Sequence, residues 1–437
     1  MNANDIELLT KVGPGTPLGS MMRQYWVPAV MSSELVAGGA PVRLALLGEK
    51  LIAFRQKDGS VGIMDHKCPH RCASLFYGRN EEGGIRCSYH GWQFDVNGNC
   101  TDMPNVAPHQ RFESKVKVKA YKTFERAGLV WVYMGDRAEA PPLPAMEAAL
   151  LPPEETEVTF IMRDCSWLQA LEGDIDTSHF GFLHAGSVDP DTIPEDDIQR
   201  WALYDRAPQY HVADTDWGTM YAAYRKADPG NTYWRFAHFI MPFWTLVPDA
   251  KFDGHILARA WVPVDDTHTM HVMIRWTGVK RRARGRKDGS EIPGLSFAHD
   301  FLPNTTDWYG RWRLRANLSN DHFLDRESQS EIYCGISGVH LQDQALTESM
   351  GPIVDFASEH LAPSDRMIVR TRRRIIESTR AFVEAGVVPP GVDNPQVALG
   401  ARSGDFIAPE SIGWLEAYSD EIRRAKNPTG LLSYAAE

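Results

Sequence analysis

The sequence predicts an α+β fold, with a small all-β domain followed by a larger domain in which helices pack on an antiparallel sheet. Three observations lead there. At 437 residues the chain is long enough for two domains, one of them large. Short β-rich runs separated by tight turns fill residues 25–133, and the proline-rich stretch Ala140-Pro141-Pro142-Leu143-Pro144 then interrupts them. Beyond that stretch, strand-like and long helical segments are mixed, the order expected when helices cover an antiparallel sheet.

Residues 1–24 read as a helical arm. Gly13-Pro14-Gly15-Thr16-Pro17 breaks the run, and Pro17 suits the first turn of a second helix. Residues 25–140 form the all-β domain. Its strands are expected at Val42–Leu47, Leu51–Phe54, Val61–Met64 and Leu129–Tyr133, with turns at Lys57-Asp58-Gly59 and Asn97-Gly98. The second domain covers residues 150–437. A helical segment is expected around 165–184, strands at Ile256–Val262 and His271–Trp276, and helices near 341–361 and 364–385.

Composition narrows the function. Hydrophobic residues make up 43% and charged residues 24%, as in ordinary globular chains, and the formal charge is -11. That charge argues against a nucleic-acid or anionic-membrane partner, both of which want a basic surface. Two basic clusters interrupt the balance, Lys280-Arg281-Arg282-Ala283-Arg284-Gly285-Arg286-Lys287 and Arg372-Arg373-Arg374. Each reads as a solvated loop or polar helix face, or as a docking patch for an acidic electron donor. The first residues lack a basic then apolar leader, and no run approaches the ~18 apolar residues of a membrane span, so a cytoplasmic location is expected. Six cysteines spread over 437 residues do not make a disulfide framework, and clustered Cys and His are then better read as metal ligands.

Cys68-Pro69-His70 and Cys87-Ser88-Tyr89-His90 form the pattern C-x-H, sixteen residues, C-x2-H. Two loops, each offering one thiolate and one imidazole, can put both sulfurs on one iron and both imidazoles on the other. That is the ligand set of a Rieske [2Fe-2S] cluster. A Cys2His2 set also satisfies zinc, but zinc modules favour C-x2-4-C with H-x3-5-H over alternating Cys and His in matched loops. High-potential Rieske proteins carry an additional cysteine in each loop, joined as a disulfide. Here Cys72 follows His70, but Tyr89 and Trp92 occupy the other loop, so the disulfide cannot form. The potential is expected toward the low end of the range of roughly -150 to +300 mV.

Asp176-x2-His179-x4-His184 is a second constellation. On an ideal helix the two histidines stand about 140° apart at ~100° per residue, so the helix has to end or deform near Phe180-Gly181 for both imidazoles to meet one ion. Two histidines and one carboxylate with open positions make the facial triad of non-haem Fe(II) oxygenases. The residues alone leave the carboxylate open among Asp321, Asp325, Asp343 and Glu348.

With these motifs, Gly13-Pro14-Gly15-Thr16-Pro17, Tyr25-Trp26-Val27-Pro28-Ala29, Asn320-Asp321-His322 and Gln342-Asp343 through Gly351, the chain resembles nearly end to end the α subunit of Rieske non-haem iron oxygenases, phthalate dioxygenase-like branch. The resemblance implies that the second domain is a helix-grip catalytic domain, that Asp343 is the carboxylate ligand of a mononuclear Fe(II), and that subunits form a head-to-tail trimer or stacked trimers. It implies that His90 meets Asp176 of a neighbour and that Asp176 leads to His179. Ser166 departs from the Asn usual before the Trp. Electrons would come from NAD(P)H through a separate flavin and iron-sulfur reductase. O2 would then hydroxylate or O-demethylate an aromatic carboxylate of the phthalate, benzoate or methoxybenzoate type. Such a substrate wants an arginine in an apolar pocket, and Arg225, Arg235 and Arg259 are the candidates. The alternative is a non-catalytic Rieske electron carrier with a ligand-binding module.

Overall fold

A computed structural model describes residues 1–279 and 285–432. The arm is two helices, α1 (Ala3–Thr10) and α2 (Pro17–Met22). The Asn2 side chain caps the first and Thr16 the second, with Pro17 at its first turn.

The first β region follows the alternation of the sequence. Strands β1 (Trp26–Met31), β2 (Val42–Leu46), β3 (Glu49–Arg55) and β4 (Val61–Asp65) precede a short meander, β5 (Arg79–Glu81), β6 (Gly84–Arg86), β7 (Gln93–Phe94) and β8 (Cys100–Asp102). Strands β9 (Ala120–Arg126) and β10 (Leu129–Tyr133) then close a six-stranded antiparallel sheet in the order β1-β10-β9-β4-β3-β2. The meander forms its own four-stranded sheet, and a small apolar cluster around Phe54, Ile85, Trp92 and Phe94 fills the space beneath Cys68 and Cys87.

The second region is built on a larger sheet. β11 (Thr156–Arg163) and helix α3 (Trp167–Ile175) are followed by helix α4 (Arg200–Tyr204) and then β12 (Gln209–Thr215), β13 (Gly218–Lys226), β14 (Asn231–Ile240), β15 (Trp244–Leu246), β16 (Leu257–Pro263) and β17 (Thr269–Trp276). The strand order is β11-β17-β16-β15-β14-β13-β12, and a late strand, β18 (Gly404–Pro409), pairs with the first half of β14. Helices α5 (Val339–Ser349), α6 (Arg366–Ala385) and α7 (Trp414–Arg424) complete the layer. The α+β class expected from the sequence is what the chain adopts. Among the described residues no helix is long and apolar enough to cross a membrane.

Three expectations need correction. The segment 165–184 is helical only as far as Ile175, because the Asp176 side chain accepts from the Ser178 amide and hydroxyl and turns the chain before His179. The helix expected over 341–361 stops at Ser349, where Gly351 takes a left-handed φ of 92° ahead of Pro352. Arg372-Arg373-Arg374 is not a basic patch. Arg372 is buried and clamps Glu172 of α3 at 2.5 and 2.6 Å and Glu359 at 2.6 and 2.9 Å, while Arg373 pairs with Glu377 along its own helix. Of the other basic cluster, residues 280–284 lie outside the described residues.

The two β regions share one core, in which Trp131 stacks on Trp244 at 5.7 Å. Across the seam the amides of Leu47 and Gly48 bond the carbonyls of Pro263 and Val264. Arg311 grips Glu34 with contacts of 2.6 to 2.9 Å, and Trp312 adds an indole N–H to the same carboxylate. Both partners of this pair are largely withdrawn from water, so removing one leaves the other charge poorly compensated. Arg311→Met is expected to cost about 3 kcal/mol. Urea denaturation followed by near-ultraviolet circular dichroism measures it, and a loss well under about 1 kcal/mol would mean that the seam is held by its apolar core alone.

Candidate metal centres and the cavity beside them

The two cysteine loops are built alike. The Cys68 amide bonds the Ala73 carbonyl and the Cys68 carbonyl takes the Cys72 amide, both at 2.8 Å. In the second loop the Cys87 amide bonds Trp92 at 2.8 Å and its carbonyl takes Gly91 at 2.9 Å. Each turn needs a left-handed residue four places after the cysteine. Gly91 supplies it with φ 79° and Cys72 with φ 58°. A Cβ on Gly91 would come within 2.6 Å of Pro104, so the second loop has no room for a side chain there.

The sulfurs and imidazoles face different media. Cys68 and Cys87 are 1% and 3% exposed, whereas His70 and His90 reach the surface beside exposed Tyr89, their rings 4.3 Å apart. His70 also stacks on Trp92 at 4.4 Å, and the Trp92 indole N–H is tied to Asn105. Burial pushes the Cys68 thiol up to about 12, and the neighbouring Cys87 sulfur pushes in the same direction. A thiol this hard to ionise fits a cationic iron pair that supplies the missing charge. All six cysteines are free, so the loop disulfide is absent as expected.

The second centre joins two distant segments. The turn after α3 carries His179 and His184, and α5 carries Asp343. Their donor atoms lie within 4.8 Å of one another. The two Nε2 atoms are 3.1 Å apart, and Asp343 Oδ1 stands 3.5 Å from His179 and 3.1 Å from His184. Ligands about 2.1 Å from one ion and at right angles to each other are separated by about 3.0 Å, so the triangle fits one octahedral face. The rival carboxylates are elsewhere. Asp321 and Asp325 are exposed, and Glu348 is bonded to His322 at 2.9 Å, Gln344 at 2.8 Å and the Asp164 amide at 2.9 Å.

Asp176 lies behind His179, its Oδ2 3.5 Å from Nδ1. Burial opposes charge on His179, but the Asp176 hydrogen bond and charge, with Asp343 and Asp174 behind, outweigh it and raise the imidazole to about 9. Burial likewise opposes ionisation of Asp343, yet His184 and then His179 lower it to about 2. Behind His184 lies a residue that sequence reasoning missed. Gln342 Oε1 sits 2.6 Å from Nδ1. A single amide on an amphipathic helix reads as surface, and only its place beside Asp343 hinted otherwise.

A cavity of about 70 Å³ opens beside the triad, walled by Phe180, Val247, Pro248, Phe297 and Val339 among others. The three candidate arginines part company here. Arg225 is buried but does not line the cavity, and its Nε bonds the Asp205 carbonyl. Arg259 lines the cavity, but it is engaged by Asp174 at 2.7 Å and Asp249 at 3.4 Å. Arg235 lines it, is 4% exposed, and is held by Thr177 at 2.9 Å, the Tyr233 hydroxyl at 3.4 Å and a longer ion pair with Asp405 at 4.0 Å.

In metal-free protein His179 holds its proton up to about 9, and a metal must displace it. Apparent Co(II) affinity is therefore expected to climb about tenfold per pH unit between pH 6 and 8, read from the Co(II) absorption bands. A flat profile would show that Asp176 does not load the imidazole. The raised value has the opposite sign for the metal-free fold. Its stabilisation is complete below the unfolded value of 6.5 and is lost as pH rises through about 9.

Comparison with known proteins gives the family. The pattern of the family described as "Rieske [2Fe-2S] domain" matches residues 25–122, and that of "LigXa C-terminal domain like" matches 132–430. The chain is 52% identical over 423 residues to the 3-chlorobenzoate-3,4-dioxygenase oxygenase subunit of Comamonas testosteroni, covering 96% of this chain and 98% of that one. It is 35% identical to the phthalate 4,5-dioxygenase oxygenase subunit of Pseudomonas putida, covering 93% and 92%. The solved structure of Pseudomonas putida CBB5 NdmA with caffeine shares the fold at a TM-score of 0.57 and 19% identity, over 90% of this chain and 99% of that one. With a Rieske domain, a LigXa-like second domain and end-to-end similarity to two oxygenase subunits, the chain belongs to the Rieske non-haem iron oxygenases, in their phthalate dioxygenase-like branch.

Proposed function

We propose that this chain is the terminal oxygenase component that hydroxylates or O-demethylates an aromatic carboxylate, using O2 and electrons passed from NAD(P)H by a separate reductase. The observation that carries the reading is the triangle of His179, His184 and Asp343 at the wall of a cavity that also takes in apolar side chains and the guanidinium of Arg235, which Asp405 pairs at the long distance of 4.0 Å. The relatives named for 3-chlorobenzoate and phthalate support the substrate class. A carrier that only passed electrons would leave that triangle without a use.

In this reading residues 25–140 form the Rieske domain and 150–437 the catalytic domain, with 1–24 as an arm. Cys68, His70, Cys87 and His90 would hold the [2Fe-2S] cluster, and His179, His184 and Asp343 the mononuclear iron. When bound, the two groups store electrons and activate O2. The chain supplies the rest. Phe180, Val247, Pro248, Phe297 and Val339 exclude water and hold the ring, and Arg235 takes the carboxylate. Arg259 serves Asp174 and Asp249 instead. Asp176 holds the His179 imidazole by its Nδ1 side and so aims Nε2 at the metal.

Electron supply is proposed to cross between copies in a head-to-tail trimer. Support comes from the surface position of His70, His90 and Tyr89, which leaves the imidazole side of the cluster loops open to a neighbour. Asp176, at the cavity wall, would receive His90 of the next copy.

Loaded protein is expected to contain about three irons per chain. With a reductase and NADH it should couple O2 uptake to a benzoate, phthalate or methoxybenzoate, and two irons with no coupled uptake for any of them would sink the reading. Asp176→Asn should keep all the iron yet slow electron transfer from cluster to iron by on the order of 100-fold in single-turnover kinetics. Arg235→Met should raise KM for the carboxylate by about 100-fold with iron content unchanged, whereas an unaltered KM would remove Arg235 as the anchor.

A further inference from the structure

His184 can point Nε2 at a metal only if the proton of its neutral ring sits on Nδ1, and the residue facing Nδ1 decides that. Gln342 Oε1 lies 2.6 Å from it. An amide can present either oxygen or nitrogen, but here the choice is made by the surroundings. Gln342 Nε2 donates to the Ile336 carbonyl at 2.8 Å and to the Gly294 carbonyl at 3.2 Å. Turning the amide over would set its oxygen against two carbonyl oxygens and lose both of those bonds.

The cradle around the amide is closely fitted. Gln342 is fully buried. Gly294 has a left-handed φ of 79°, and a Cβ there would meet Gln342 Nε2 at 3.2 Å and Ile332 at 2.9 Å. The Gly294 carbonyl also takes the Gly338 amide at 3.0 Å, which seats the start of α5. The helix turn that carries Asp343 therefore also carries the partner of His184, so two donors of the centre are set by one rigid element.

We infer that Gln342, locked by the Ile336 and Gly294 carbonyls, is the positioning residue that fixes His184 as the Nδ1–H tautomer and so prepares Nε2 for the metal. The two imidazoles are thereby unequal. His179 is backed by the Asp176 carboxylate and is the stronger donor, whereas His184 is backed by a neutral amide and is fixed in direction more than in basicity. The inference rests on the metal-centre reading above and assigns the residue that completes its geometry.

The test is nitrogen-15 NMR of histidine-labelled, Zn(II)-loaded full-length protein, with Co(II) titration of the metal-free form. Wild type should show His184 protonated at Nδ1 and ligated through Nε2. Gln342→Leu should give a mixture of His184 tautomers in metal-free protein and weaken Co(II) binding by about 10- to 100-fold, with the His179 signals in place. Gly294→Ala should disturb His184 and spare His179. A wild-type His184 protonated at Nε2 in the metal-free protein, or unchanged tautomer and affinity in Gln342→Leu, overturns the inference, and the wild-type spectrum decides even if a variant fails to fold. Failure of wild type to bind Co(II) at all would instead overturn the metal-centre reading.

Discussion

Taking a carboxylate away from bulk water costs more than one hydrogen bond returns, and Asp343 meets that cost between two imidazoles. Much of the second region can be understood as holding it there. Arg163, itself 1% exposed, ties β11 to α5 through Thr347 and His340. Gln169 of α3 bonds the Thr347 and Gly351 carbonyls at the helix end. Glu348 joins α5 to His322 and to the end of β11, at a place where Asp321, His322 and Phe323 all take left-handed backbone angles. Strain of that kind is kept only where surrounding bonds over-determine it, and here they fix one face of one helix.

The opposite segment is anchored with equal care. Glu172 lies in α3, and burial raises its carboxyl to about 6 against the pull of Arg372. The Arg372 clamp onto Glu172 and Glu359 fastens α3 to α6, which in turn packs on β12 and β13 and bonds Thr219 through Thr371. The turn bearing His179 and His184 thus starts from a helix that cannot slide. Asp174, one turn before it, is bonded to Arg259, Thr245 and Trp261 on the sheet below. Donor geometry good to a few tenths of an ångström requires supports of this kind, since a mobile imidazole would lose metal affinity to its own entropy.

The cluster end solves the reverse problem. Its sulfurs are sealed over a small apolar core and its imidazoles are left at the surface, so an electron has a short way out through ring atoms while water is kept from the thiolates. Trp92 stacks on His70 and spends its N–H on Asn105.

The sequence by itself determined the donor types, the matched cysteine loops, four of the six strands of the first sheet and the His179–His184 spacing. These depend on residues close together in the chain, where turn chemistry and side-chain period act directly. It also showed that the helix carrying those histidines had to break, though not that Asp176 would break it. The residues alone left Asp343, Asp321, Asp325 and Glu348 open and the family resemblance pointed to Asp343, but only the tertiary structure brought it within 3.1 Å of His184, set Arg235 apart from Arg225 and Arg259, buried Arg372 in an ion-pair clamp and placed Gln342 behind His184. For Asp343, Arg372 and Gln342 the deciding partner lies more than a hundred positions away in the chain. Packing settles the choice, because the winner is whichever side chain the sheet and helices bring within bonding distance.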